Sequence, residues 1–150
     1  MPANTTPLFV LTPNIGKTTV TAANVATDGS GTIGTNIFLA FTAGANGSRV
    51  ESITITNAVA TATTSAATRI SCYYSTVTSG VTTSSNTYIL NETTLAAGTA
   101  RSATNTGVTA TISFPGGLLM PSGTTILITS SNWTAAANDN LAVVVRGGDY

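Results

Sequence analysis

The stretch IFLAFTAGANGSRVESITITNAVA, residues Ile37 to Ala60, decides how this chain folds. Ile37, Leu39 and Phe41 alternate with Phe38, Ala40 and Thr42, so both faces of the first half are largely apolar. That is the pattern of a strand buried on two sides. Ala43-Gly44-Ala45-Asn46-Gly47 then reads as a tight turn, because Asn tolerates positive φ and Gly has no Cβ to oppose it. Beyond the turn, Ile53, Ile55 and Val59 share one parity, with Asn57 between them, while Ser52, Thr54 and Thr56 take the other. One dry face and one hydroxyl face result. Val50 has the wrong parity for the dry face, and a bulge near Glu51-Ser52 would restore it. The stretch is therefore predicted to be a core hairpin.

Working outward, the same alternation recurs with turn residues between the runs. Three prolines, Pro2, Pro7 and Pro13, mark residues 1–16 as an N-terminal arm or edge strand, with Leu8, Phe9, Val10 and Leu11 as its apolar segment. That arm could add as a strand to a neighbour or sit at the edge of its own sheet. Lys17 to Ala22 is a predicted strand, and Val25 to Thr35, with Asp28-Gly29-Ser30-Gly31, a turn-rich loop. Further strands are expected over Arg69–Val77, Tyr88–Leu95, Val108–Phe114, Thr124–Ser130 and from Leu141 through Val145. Pro115-Gly116-Gly117 is read as ending its strand, and Trp133 falls in a polar loop. About eight or nine short strands without a convincing helix predict an all-β, single-domain antiparallel β-sandwich of jelly-roll type over residues 17–150.

Composition narrows the function classes. Hydrophobic residues make up 42% of the 150, enough for a core, but charged residues only 7%, against the usual quarter. With five cations and five anions the formal net charge is zero, so nothing marks nucleic acid or an anionic membrane as a partner. A surface so poor in charge opposes association weakly, which suits a protein that sits against copies of itself or another protein. No apolar run approaches the roughly 20 residues of a bilayer span, and no signal peptide is expected at the N-terminus. The single cysteine, Cys72, lies in an apolar strand and is expected to be a small core residue. A fold without disulfides fits assembly in a reducing cytoplasm.

No chemistry-bearing constellation stands out. There is no histidine, which removes Ser-His-Asp and Cys-His arrangements and Cys/His zinc sites. The acids Asp28, Glu51, Glu92, Asp139 and Asp149 are scattered. Asp28 is expected to cap its own turn rather than bind calcium, since the surrounding pattern is not that of an EF-hand. No enzyme activity and no cofactor are expected. Trp133, with neighbouring tyrosines, is the one candidate for a ligand contact.

Several pieces together resemble small virion proteins of tailed bacteriophages: Thr12-Pro13-Asn14-Ile15-Gly16, Asp28-Gly29-Ser30-Gly31-Thr32, the run from Phe41 to Val50, Tyr88-Ile89-Leu90-Asn91 and Gly147-Gly148-Asp149-Tyr150. The resemblance spans most of the chain. It implies a structural protein on the outside of a phage particle, first of all a capsid decoration or cementing protein. The implied partner is the major capsid protein or another virion protein. The implied state is a homo-oligomer, such as a trimer, bound through the arm (Leu8 to Leu11) or a sheet face bearing Ser52, Thr54 and Thr56. The alternative is a receptor- or glycan-binding module of the tail, fibre or vertex, with Trp133 as contact. The resemblance implies a virion location in either case.

Overall fold

The structure, a computed structural model, describes residues 12–57, 66–98, 106–133 and 141–150. It is all-β, and the described residues contain no helix. The strands are β1 (Thr12–Val20), β2 (Gly31–Thr32), β3 (Phe38–Thr42), β4 (Ser48–Asn57), β5 (Thr68–Ser75), β6 (Val81–Thr82), β7 (Thr87–Leu95), β8 (Thr109–Met120), β9 (Thr125–Ser130) and β10 (Leu141–Asp149). They form one four-stranded sheet in the order β1-β10-β4-β8, a second in the order β3-β9-β5-β7, and a two-stranded ribbon, β2-β6. Each of these pairings is antiparallel.

The main core draws on both four-stranded sheets. Val50, Ile53 and Ile55 of β4 and Val143 and Val145 of β10 meet Ile70 and Cys72 of β5 and Ile126 and Ile128 of β9, all fully or almost fully buried. Each such aliphatic side chain contributes roughly 1.5–3 kcal/mol relative to exposure. A second, smaller cluster of Ile37, Tyr73 and Leu127, with Ile33 and Leu39 packed on it, lies on the opposite face of β9 and β5. This accounts for the apolar residues of both parities in β5 and β9.

The expected bulge in β4 is present. Val50 faces Gly147 and Ser52 faces Arg146, which leaves Glu51 as the extra residue between them. Glu51 is exposed, while Val50 and Ile53 on either side of the bulge both reach the core.

The expected hairpin is not. β3 pairs with β9, whereas β4 lies between β10 and β8. The segment from Ala43 to Gly47 carries the chain from one sheet to the other. Its backbone groups are satisfied within the turn and by the segment before β9 rather than by a β3–β4 ladder. The Ala43 N–H donates to Thr124 O (2.9 Å), and the Gly47 N–H donates to Gly44 O (3.0 Å). Gly44 N–H donates to the Ser48 hydroxyl (2.9 Å). Gly47 holds φ at +88°, and a Cβ there would stand 2.8 Å from the Met120 carbonyl oxygen, so glycine is required.

Two further expectations change. β1 is one strand from Thr12 to Val20 that crosses the expected arm boundary at residue 16 and pairs with β10 along its length. It is an edge strand, where Pro13 is tolerated because no ladder donor is needed on the open side. Gly16 lets β1 pass over β3: a Cβ there would fall 2.1 Å from the Ala40 carbonyl oxygen. Pro115-Gly116-Gly117 does not end β8. The strand makes an excursion there and pairs with β4 again at Leu118, Leu119 and Met120. Gly116 and Gly117 absorb the excursion at φ +83° and +79°.

Candidate functional site

Alternation along β4 sends Ser52, Thr54 and Thr56 away from the core. The register brings three neighbouring strands to the same surface. Thr19, Ala142, Thr56 and Thr109 form one row across β1, β10, β4 and β8. Lys17, Val144, Thr54 and Thr111 form the next, and Ile15, Arg146, Ser52 and Ser113 the third. None of the twelve is buried. At ~4.8 Å between strands and ~6.8 Å between alternate residues, this grid covers about 19 Å by about 20 Å. It carries seven hydroxyl side chains, two cations and no anion. The Thr56 and Thr109 hydroxyls lie 3.2 Å apart, a cross-strand hydrogen bond. Ile15, at 66% exposure, and Val144, at 37%, supply apolar area.

The two four-stranded sheets differ in how their outward faces are treated. On β3-β9-β5-β7, the second apolar cluster is closed over by the segments that carry the β2-β6 ribbon. Ile33 N–H donates to Gly80 O (2.9 Å), tying one side of the ribbon to the other. The Thr82 hydroxyl donates to Gly29 O (2.7 Å). Tyr73, beneath, is only 1% exposed. The outward face of β1-β10-β4-β8 has no such cover among the described residues.

One end of the uncovered sheet is held by a polar clamp. The Asp149 carboxylate at the end of β10 accepts from the Ser48 hydroxyl of β4. Asn14 Nδ2 of β1 donates to both carboxylate oxygens, at 2.9 and 3.1 Å. Burial alone would raise the Asp149 pKa, but these bonds and the Gly44 N–H together hold it below the usual carboxylate value. The clamp joins β1, β4, β10 and the sheet-to-sheet turn.

The remaining sequence candidates fall elsewhere. Leu8, Phe9, Val10 and Leu11 lie outside the described residues. Trp133 is 5% exposed and belongs to the main core, with its indole N–H buried and without a hydrogen-bond partner. Its indole is packing material, not a surface platform. Cys72 is buried, which pushes its thiol up to about 12 and leaves it without thiolate character near neutrality. Asp28 caps its own turn as expected, with Oδ1 accepting from the Ser30 N–H (3.0 Å) and hydroxyl (2.6 Å). Among the described residues no three His, Cys, Asp or Glu side chains come together to hold a metal ion.

Sequence reasoning found β4's contribution to the grid but missed the other three strands. Alternation in Val108–Phe114 and Leu141–Val145 gave the parity of two of them, while Lys17 to Ala22 was legible only as a strand; their lateral order is not a local property. No protein-family model, curated protein or solved structure matches this chain.

Proposed function

We propose that this chain is a phage virion structural protein, a capsid decoration or cement protein, and that it docks through the outward face of β1-β10-β4-β8. The observation that carries the reading is the asymmetry between the sheets: one outward face is closed by the chain's own ribbon, and the other presents an uncovered grid of hydroxyl and apolar side chains with two cations and no anion. The strand order supports a jelly-roll sandwich. With the ribbon set aside, the eight long strands divide as first, eighth, third and sixth in one sheet and second, seventh, fourth and fifth in the other. That is the arrangement obtained by winding four antiparallel strand pairs around a barrel.

The grid measures about 400 Å² by the spacings above, roughly half the ~800 Å² per partner of a standard interface. A stable attachment then needs further contact, from the N-terminal arm or from several copies acting together. A trimer bound to the major capsid protein meets that need, and light scattering of the purified protein tests the trimer. Function is tested on particles assembled with and without the protein. Particles lacking it should come apart at lower temperature, and adding the protein back should restore them. Identical melting of the two kinds of particle would rule out a cementing role. Deleting residues 2–13 separates the two contacts: binding that survives the deletion belongs to the sheet face.

A further inference from the structure

The uncovered face of β1-β10-β4-β8 continues one row past the grid. Pro13, Gly148, Arg49 and Leu119 lie side by side across β1, β10, β4 and β8. Alternation across the bulge keeps Arg49 on the side away from the core, because Val50 and Ile53 are the residues that point inward. Leu119 is 67% exposed. Three of the chain's five cations therefore stand on this face: Lys17, Arg146 and Arg49.

Their placement is ordered. Lys17 pairs with Val144 and is thus diagonal to Arg146; Arg49 pairs with Gly148 and is diagonal to Arg146 from the other side. Diagonal neighbours on one sheet face stand about 7–8 Å apart, so the three form a stripe about 15 Å long. Lys17 and Arg146 are exposed. Arg49 is held from the side: a Cβ on Gly117 would stand 2.6 Å from its Cγ, so the β8 excursion lies against its stem.

The described residues supply no counter-charge to this stripe. The ion pair among them joins Arg69 to Glu92 (3.4 Å), on the other four-stranded sheet. Asp149 is engaged with Ser48 and Asn14 in the clamp, and Asp28 with Ser30 in its turn. Glu51, exposed at the bulge beside the stripe, forms no ion pair with it. In a chain with only 7% charged residues, three cations in line with one acid beside them are the main electrostatic feature of the face. Like charges at this spacing repel mildly in water, and an opposing row of carboxylates turns that cost into attraction.

A carboxylate-bearing protein surface fits the face better than nucleic acid does. Its four rows hold no aromatic side chain on which a base could stack. Ile15, Val144 and Leu119 flank the cations with apolar area, the mixture expected of a protein contact.

We propose that this face recognises an acidic patch on its protein partner, with Lys17, Arg146 and Arg49 as the recognising charges. The proposal rests on the docking role given to the face above and adds the chemistry of what it meets.

The test uses particles assembled without the protein, with binding measured by co-sedimentation. Raising the salt from about 0.01 M to about 0.15 M shortens the screening length from ~30 Å to ~8 Å, the spacing within the stripe, and should weaken binding. Lys17→Glu and Arg146→Glu should each weaken it about tenfold or more at the lower salt. Both positions are exposed, so neither variant should change the thermal melt. Lys17 is the only lysine of the chain, which permits a direct probe. A carbodiimide activates a carboxylate of the particle; the Lys17 amine attacks the activated acyl carbon, forming an amide and expelling the urea. That crosslink, located by mass spectrometry, is expected with the wild type, and Lys17→Arg should keep the binding and lose the crosslink. Salt-independent binding that tolerates both reversals, or complete competition by duplex DNA, would overturn the proposal. Thr54→Trp, large and uncharged, tests the face by itself. If it weakens binding while the charge variants do not, the docking face stands and the acidic partner falls. If none of these variants weakens binding, the docking reading fails as well.

Discussion

Thr54 stands at the centre of the outward grid, between Val144 and Thr111, and Thr54→Glu places one carboxylate there. The cost to the fold is small. Position 54 is partly exposed, its parity is outward, and substitutions of this kind usually fall within about 0.5 kcal/mol. For a protein of this length that moves Tm by only about 1–2 °C. The cost to docking is large if the grid is the contact. A charge buried at an interface without a matched partner costs about 2–5 kcal/mol, and Arg146, diagonal to position 54 on the same face, offsets part of that, so a weakening of roughly 30-fold is expected. Thr54→Gln brings similar bulk without charge and should cost less than about 1.5 kcal/mol, or roughly tenfold. The assay is co-sedimentation of each purified variant with particles assembled without the protein, beside thermal melts of the free proteins. Thr54→Glu that melts normally and still binds like the wild type would refute the grid as the docking surface.

Three further outcomes follow from the same structure. Asp149→Asn should lower stability by about 1–3 kcal/mol at neutral pH, because it replaces charge-assisted bonds to Asn14 and Ser48 with neutral ones. The Asp149 pKa is depressed in the folded state. Its contribution is therefore complete above the unfolded value of ~3.9 and is lost as pH falls through the folded value. Acid melts of wild type and variant should converge below that range, and a constant gap down to the lowest pH would contradict the clamp. Gly16→Ala drives a methyl group into the Ala40 carbonyl and should cost about 1–3 kcal/mol, or about 2–12 °C in Tm. An unchanged melt would show that β1 is not seated against β3. Trp133→Ala should destabilise the fold by about 3–5 kcal/mol, as expected for a large core residue. A variant with wild-type stability would return Trp133 to the surface.

What could be read from the sequence, and what could not, divides along a physical line. Parity is local, so the wrong parity of Val50 was enough to place the Glu51 bulge, and Leu141, Val143 and Val145 were legible as an inward face. Partner choice is not local. Ile37–Ala60 carries every local mark of a hairpin, yet its halves belong to different sheets, because alternation specifies a face and leaves the neighbour open. The β2-β6 ribbon was invisible for the same reason. Gly31-Thr32 and Val81-Thr82 sit in two turn-rich stretches some fifty residues apart, and only the tertiary fold brings them together. Trp133 misled because polar neighbours in sequence say little about where one large ring points. Of the candidate interface, Ser52, Thr54 and Thr56 were legible as a hydroxyl face; the grid they belong to required strand order.

Decoration of a phage head through many equivalent contacts is the role proposed for this protein. Its most direct test is the copy number of the chain in purified particles, measured by quantitative mass spectrometry against the major capsid protein. A decoration protein is expected at hundreds of copies per particle, in a fixed simple ratio to the capsid protein. A handful of copies, or none, would contradict it.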